Sequence, residues 1–260
     1  MPTARISLQA AAERLGVHYQ TAYRWVRSGS LQAVKVRGVY QVEESDLEAF
    51  DQERHRPEPP PTERTVRDWG RFVDQLHDAL VAGEEGSARD IVDGLVSGGV
   101  RIVDCCDRMI APAMQRVGTR WMLGELSVAE ERRASFICER LLGRINPSPP
   151  GRPRGTAVVV TPSADEHQLP GQMATAVLRE DHWRVHHFGT GVPDADLAGM
   201  VRRLAPDLVV VSSVWPPARD VAAALGDALR SLGPRVLVGE AGATLGDLVE
   251  LARGGGRSGR

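Results

Sequence analysis

Asp165 and His167, two positions apart in the segment SADEHQLPG, are the residue types and spacing that most directly suggest chemistry. A loop histidine can offer one ring nitrogen to a metal, while a nearby carboxylate orients and polarises the other nitrogen. A metal held by protein side chains alone needs further ligands at the same place. His182, His186 and His187 belong to a different segment, so His167 suits a metal whose other ligands come from a macrocycle. A phosphate site is the weaker reading, because the loop lacks G-x-G-x-x-G and G-x-x-x-x-G-K. Glu131 is a second conspicuous group. At helical spacing it shares a face with Ala134, Ser135, Cys138, Leu142 and Ile145, the face that should be buried. A buried carboxylate is costly unless paired or ligand-bound. It is therefore either a core ion pair with Arg116 or Arg120, or part of a wall around a polar ligand.

The elements that must position His167 are a run of strands and helices. Residues 157–161 (AVVVT), 184–188 (RVHHF), 208–213 (LVVVSS) and 235–238 (RVLV) read as buried parallel strands. Helical stretches follow at 171–180, 194–205, 218–232 and 243–252. That alternation predicts a doubly wound parallel sheet of flavodoxin-like type, whose ligands sit beyond the carboxyl ends of the strands. Glu131 belongs to a helical unit upstream. Trp69, Phe72, Val73, Leu76 and Leu80 recur at helical spacing, as do Ala88, Ile91, Val92 and Leu95. Ile102, Val103, Cys106, Met109 and Ile110 continue the pattern until Pro112, which should bend or break it. Ser127 to Glu130 is a capping box opening a last helix that runs to about Ile145. Four helices with short connections predict a bundle.

The first residues carry a third set of functional groups. Ser7 caps a short helix (LQAAAERLG), Val17 and His18 turn the chain, and YQTAYRWVRSG forms a second helix. Two β-prone runs around Arg37-Gly38 read as a wing, and a polar helix from Glu43 to Arg56 closes the unit on Leu47 and Phe50. With Ala22, Val26 and Leu31 facing a small core, Gln20, Tyr23, Arg24 and Arg27 face outward. Lys35 and Arg37 reach phosphates from the wing. This stretch resembles the winged helix-turn-helix of the MerR and excisionase group over roughly residues 5–52, which implies double-stranded DNA as a partner and dimeric reading.

Composition bounds the rest. The chain has 260 residues and a formal net charge of −2, so nucleic-acid binding must come from a local motif rather than bulk charge. No apolar run is long enough for a membrane span, and the first residues lack a secretory h-region. The 3 cysteines, Cys105, Cys106 and Cys138, form neither a C-x-x-C nor a disulfide framework, which fits a cytoplasmic setting. Lys35 is the single lysine among 32 basic residues, a bias attributed to coding. Two Pro-rich spacers, 56–62 and 146–155, and a glycine-rich tail divide the chain. The divisions are 1–56 (winged helix-turn-helix), 63–146 (helical bundle) and 155–253 (α/β). No nucleophile–base pair can be argued, so no enzyme is expected.

Taken together, the modules resemble the cobalamin-binding regulators of the CarH/LitR type. The resemblance rests on APAMQRVGTRWMLGELSVAEE, with Trp121 and Glu131 at the family's Trp-x9-Glu spacing, and on Asp165-x-His167, with Ser212 and Gly239 in later loops. It implies cobalamin as cofactor, in the adenosyl form, with His167 as lower cobalt ligand. It also implies a nucleotide tail near Ser212 and Gly239, and Trp121 and Glu131 over the upper face. Function is then that of a cobalamin-binding, DNA-binding transcriptional repressor acting as a homo-oligomer (dimer or tetramer). Three departures stand out. Arg132 replaces the family histidine after Glu131, and a guanidinium is no ordinary cobalt ligand; this leaves light sensing and chemical sensing of cobalamin both open. Gly171 follows His167 at the fourth place, with Pro170 at the usual third. Glu240 follows Gly239, and no fifth strand is evident. Two further readings are a corrinoid carrier of a methyltransferase system, and a regulator whose decayed site holds another tetrapyrrole.

Overall fold

The computed structural model describes residues 5–15, 17, 19–27, 31–36, 38–55, 68–147, 151–239 and 242–254. The chain divides into two units, 1–62 and 63–260, each described by itself. In the first, helix α1 (Leu8–Arg14) starts where the Ser7 hydroxyl accepts the Ala10 amide at 3.2 Å. Helix α2 (Tyr19–Arg27) and helix α3 (Glu44–His55) complete the helical part. Strands β2 (Val34–Val36) and β3 (Val39–Glu43) form the expected wing. A third strand, β1 (Arg5–Ser7), was not legible in the sequence; it pairs antiparallel with the far edge of β3. Leu8, Ala11, Ala12, Ala22, Leu31, Val42 and Leu47 fill the core, with Trp25 tilted against Phe50 at 5.1 Å between centroids.

The second unit begins with α4 (Trp69–Ala82), capped by Asp68, and α5 (Glu85–Ser97). The expected break at Pro112 does not occur. Instead α6 (Ile102–Cys105) runs through a π turn (Cys106–Ile110) into α7 (Ala111–Met122). The wider turn, closed by Ala111 N–H donating to the Cys106 carbonyl, accommodates the proline ring and its missing donor without ending the helix. Helix α8 (Val128–Arg144) opens on the anticipated capping box, with Ser127 and Glu130 bonding reciprocally. The three cysteines lie in this bundle's core, where burial pushes the Cys105 and Cys138 thiols up to about 12 and holds Cys106 well above its usual value.

The sheet is parallel throughout, in the order β5-β4-β6-β7: β4 (Thr156–Val160), β5 (Arg184–His187), β6 (Leu208–Val211) and β7 (Arg235–Val238). Helices α9 (Leu169–Glu180) and α12 (Leu245–Ala252) cover one face, α10 (Asp194–Leu204) and α11 (Arg219–Arg230) the other. Strands are added to one side of β4 by β5 and to the other by β6, so the loops after β4 and β6 diverge at the switch point where such sheets take ligands.

Bundle and sheet share one apolar core, because Met173, Ala176 and Val177 of α9 and Val249 of α12 join the bundle cluster. Two carboxylates reinforce that join. Glu180 of α9 accepts the Ile102 and Val103 amides at 2.6 and 3.2 Å, and Asp107 of the π turn accepts the Leu245 and Gly246 amides, both at 2.9 Å. Each half of the unit thus caps a helix N-terminus of the other.

Candidate cofactor site at the switch point

Asp165 is fully buried in the loop after β4 and is the most densely bonded side chain of the site. One carboxylate oxygen accepts the His167 amide at 2.9 Å and the His167 Nδ1–H at 2.7 Å. The other accepts the Ser213 hydroxyl at 3.0 Å and the Val214 and Trp215 amides at 3.1 and 3.2 Å. Burial pushes the carboxyl up, but the His167 amide and ring, the Val214 amide and the Ser213 hydroxyl together hold it below the usual range. Thr190 secures the same loop by donating to the Asp165 and Pro162 carbonyls. With Nδ1 committed to Asp165, the exposed His167 ring presents Nε2 as its free nitrogen. Among the described residues no group of three or more His, Cys, Asp or Glu side chains converges on one point.

Beside this loop the strand ends form a polar row facing α9. Ala157 and Val159 point to the α9 side of β4, so Thr161 does also, and His187 pairs with Val159 in register. Ser212 and Gly239 continue the row where their amides extend the ladder to Val160 and Val211. Gly171, expected at the boundary of loop and helix, lies in the first turn of α9, which begins two residues earlier than its periodicity suggested. A Cβ there would stand 3.0 Å from His187 Nε2, 3.2 Å from Thr161 Oγ1 and 3.7 Å from the Ser212 Cβ. A side chain at 171 would therefore crowd these neighbours, and the remodelled Pro170-Gly171 pair still keeps the close approach. Gly239 is equally constrained, since a Cβ would meet the Ser213 carbonyl oxygen at 3.1 Å. Thr161 Oγ1 and His187 Nε2 are both buried without a hydrogen-bond partner. The donor set is that of a macrocycle-held metal: one exposed imidazole, oriented from inside by a buried carboxylate, with glycines at the strand ends where the backbones approach closely.

The bundle residues are arranged differently from expectation. Glu131 is half-buried rather than buried and accepts the Ser135 hydroxyl at 2.8 Å. The ion pair with Arg116 or Arg120 is not formed: Arg116 pairs with Asp74 and Arg120 with Glu125 at 3.0 Å. Trp121 is 45% exposed, followed by exposed Met122 and Leu123, with exposed Val128 opening α8. Arg132 is exposed. No hydrogen bond among the described residues links Trp121 or Glu131 to the loops above the sheet. Sequence reasoning missed Thr161, Ser213, Trp215, His187 and the buried His77, whose Nδ1–H donates to Asp78 while Nε2 lies 3.4 Å from Arg120. Only strand register could have found the first four.

In the N-terminal unit Gln20, Arg27 and Lys35 are exposed, and Tyr23 is 38% exposed. Tyr23 stacks on Tyr19 and meets Tyr40 edge-on, and the Lys35 ammonium lies over the Tyr40 ring at 5.6 Å. This aromatic ridge ties the second helix to the wing. The Arg24 side chain, Arg37 and Glu240 lie outside the described residues, as does the 56–62 spacer.

Comparison with known families matches residues 6–55 to a helix-turn-helix domain, 73–146 to a B12 binding domain and 155–250 to a second B12 binding domain. The chain joins a helix-turn-helix domain to a two-part B12 binding module. Of curated relatives, the HTH-type transcriptional repressor CarH of Myxococcus xanthus is 31% identical over 137 residues, 52% of this chain and 45% of that protein. The matched region thus spans less than half of that relative. In fold the B12 binding module is similar to the Methanosarcina barkeri monomethylamine corrinoid protein, with a TM-score of 0.54 at 14% identity over 70% of this chain and 97% of that one.

Proposed function

We propose that this chain is a cobalamin-responsive transcriptional repressor. It reads DNA through the N-terminal unit and holds adenosylcobalamin between the loops above the sheet and the α7–α8 end of the bundle. The observation that carries this reading is Asp165: five donors fix its carboxylate so that His167 Nε2 stands free at the switch point, in a chain that also bears a helix-turn-helix domain. When bound, the cofactor supplies a cobalt–carbon bond that light or chemistry can cleave. The protein's residues hold and orient it. His167 would hold the cobalt, and Asp165 keeps that imidazole in the Nδ1–H tautomer. Ser212, Gly171 and Gly239 would line its approach at the strand ends, while Trp121 with Glu131 would offer an apolar face and an acceptor from above. Gln20, Tyr23, Arg24, Arg27, Lys35 and Arg37 contact DNA, and pairing of chains makes that contact strong enough for an operator.

The test is an absorption spectrum of the protein reconstituted in the dark with adenosylcobalamin, before and after green light, with gel filtration and DNA retardation of each state. We expect a bound corrinoid in the wild type and its loss in His167→Ala. A light-driven change in size and DNA retention makes the protein a photoreceptor despite Arg132; retention that follows cofactor alone makes it a chemical sensor. Binding of corrinoid without any DNA would favour a corrinoid carrier instead.

A further inference from the structure

The end of the sheet opposite the cofactor loops, where the strands begin and α9 and α12 finish, carries arginines that the cofactor reading leaves unused. Arg154 precedes β4, Arg184 opens β5, Arg235 opens β7 and Arg253 follows α12. They are contiguous. The Arg154 amide donates to the His182 carbonyl at 2.8 Å, and the Arg184 amide to the Gly155 carbonyl at 2.9 Å. Arg154 and Arg253 share the buried Asp181 carboxylate: Arg253 Nε donates to Oδ1 at 2.8 Å, and Arg154 Nε lies 3.3 Å from Oδ2. Arg235 donates to the Leu251 and Ala252 carbonyls, both at 2.7 Å. Three guanidiniums are thus held in place, while the Arg154 and Arg253 side chains remain 46% and 50% exposed. Basic groups at helix C-termini complement the helix dipole, which accounts for part of this cluster. It does not account for Arg152 and Arg184, which are exposed and whose side chains have no partner among the described residues. Against the five arginines stand Asp181, Asp207, which accepts the Thr156 amide at 2.8 Å, and Glu250 near Arg253. Positive charge is in excess.

An excess of pre-positioned guanidinium forks suits a polyanion. Among the described residues, Leu251 is the one exposed large hydrophobic at this end, so the apolar centre of a protein interface is missing. Trp183 is buried there, so no exposed aromatic ring offers the stacking platform that single strands use. Arg184 and Arg235 open strands three intervals apart in the sheet, a span of about 14 Å, or about four nucleotides of one duplex strand. The helix-turn-helix domain brings duplex DNA to this chain, yet Arg5 and Arg14 of that unit are paired with Glu43 and Glu44. We propose that Arg152, Arg154, Arg184, Arg235 and Arg253 form a second, sequence-independent contact with the phosphate backbone of duplex DNA. The inference rests on DNA binding by the helix-turn-helix domain and not on the cofactor.

The test is retardation of a duplex of arbitrary sequence by the full-length protein over a series of salt concentrations. The double variant Arg152→Ala with Arg184→Ala should bind about tenfold more weakly at low salt and lower the salt slope by about 2. Charge reversal at both positions, Arg152→Glu with Arg184→Glu, should weaken binding further. Neither side chain has a partner to lose, so far-UV circular dichroism and thermal unfolding should match the wild type. Arg219→Ala, at the exposed start of α11 on the opposite end of the sheet, should change neither affinity nor slope. An unchanged slope in the double variant overturns the inference, and weaker binding by Arg27→Ala would then leave the helix-turn-helix contact standing. A loss of equal size in Arg219→Ala also overturns it, because bulk charge would then explain the effect. Absence of retardation by the wild type overturns the inference and the DNA-binding reading together.

Discussion

Asp165 is fully buried while the His167 side chain stands 57% exposed, and that asymmetry is what a ligating histidine needs. The carboxylate sets the ring's tautomer from inside, and the free nitrogen faces outward. Removing the carboxylate leaves three buried or half-buried donors from the loop after β6 unanswered. Asp165→Ala should therefore cost about 3 kcal/mol in urea unfolding. Asp165→Asn should recover part of it, since one acceptor survives; equal losses in both variants would show that charge and not acceptor geometry matters. His187 gives a pH dependence with a definite sign. Burial lowers its folded value, so as pH falls below about 6.5 the unfolded chain takes up the proton first. Stability at this position is unaffected at higher pH and declines as pH falls from there toward the folded value. The wild type should lose more stability between pH 7.5 and pH 5 than His187→Phe does. Parallel losses in the two proteins would refute that account.

At the scale of elements, caps and periodicity carried most of the information. The Ser7 and Ser127 caps and the four apolar strand runs were legible because each depends on residues within a few positions of one another. The π turn was not, since a proline in a helical pattern signals a break unless the surrounding bundle holds the helix together. Likewise the start of α9 was misplaced by two residues, because Leu169 is drawn into the bundle core from outside the local pattern. The reciprocal caps joining bundle and sheet connect residues far apart in sequence. Asp107→Ala should speed hydrogen exchange at the Leu245 and Gly246 amides and cost about 1 kcal/mol, as the loss of a helix cap does elsewhere. Unchanged exchange at both amides would mean that packing of Val249 alone holds α12 in place.

For the whole molecule, the two units divide the proposed work. The N-terminal unit has its own core around Leu8, Leu31, Val42 and Leu47, and Arg27 of α2 and Lys35 of the wing are exposed. Lys35 is held over the Tyr40 ring, and its ammonium is a point charge rather than a planar fork, so its contribution to DNA binding should be electrostatic. Lys35→Ala should weaken binding to all sequences alike and reduce the salt slope by about 1, measured by retardation over a series of salt concentrations. A loss confined to one operator sequence would place Lys35 in base readout instead. The domain plan, the parallel sheet and the Asp165-His167 pair were written in the sequence by local means: hydrophobic period, proline and glycine punctuation, and a short motif. The tertiary structure alone decided that β1 joins the wing, that Glu131 bonds Ser135 rather than an arginine, and that Ser213, Val214 and Trp215 answer Asp165 from some fifty residues away. It also decided that Thr161, His187 and Ser212 meet at the close approach of Gly171. Strand order and register are set by which apolar faces bury against which helices, a collective property of the packed chain that no single segment encodes.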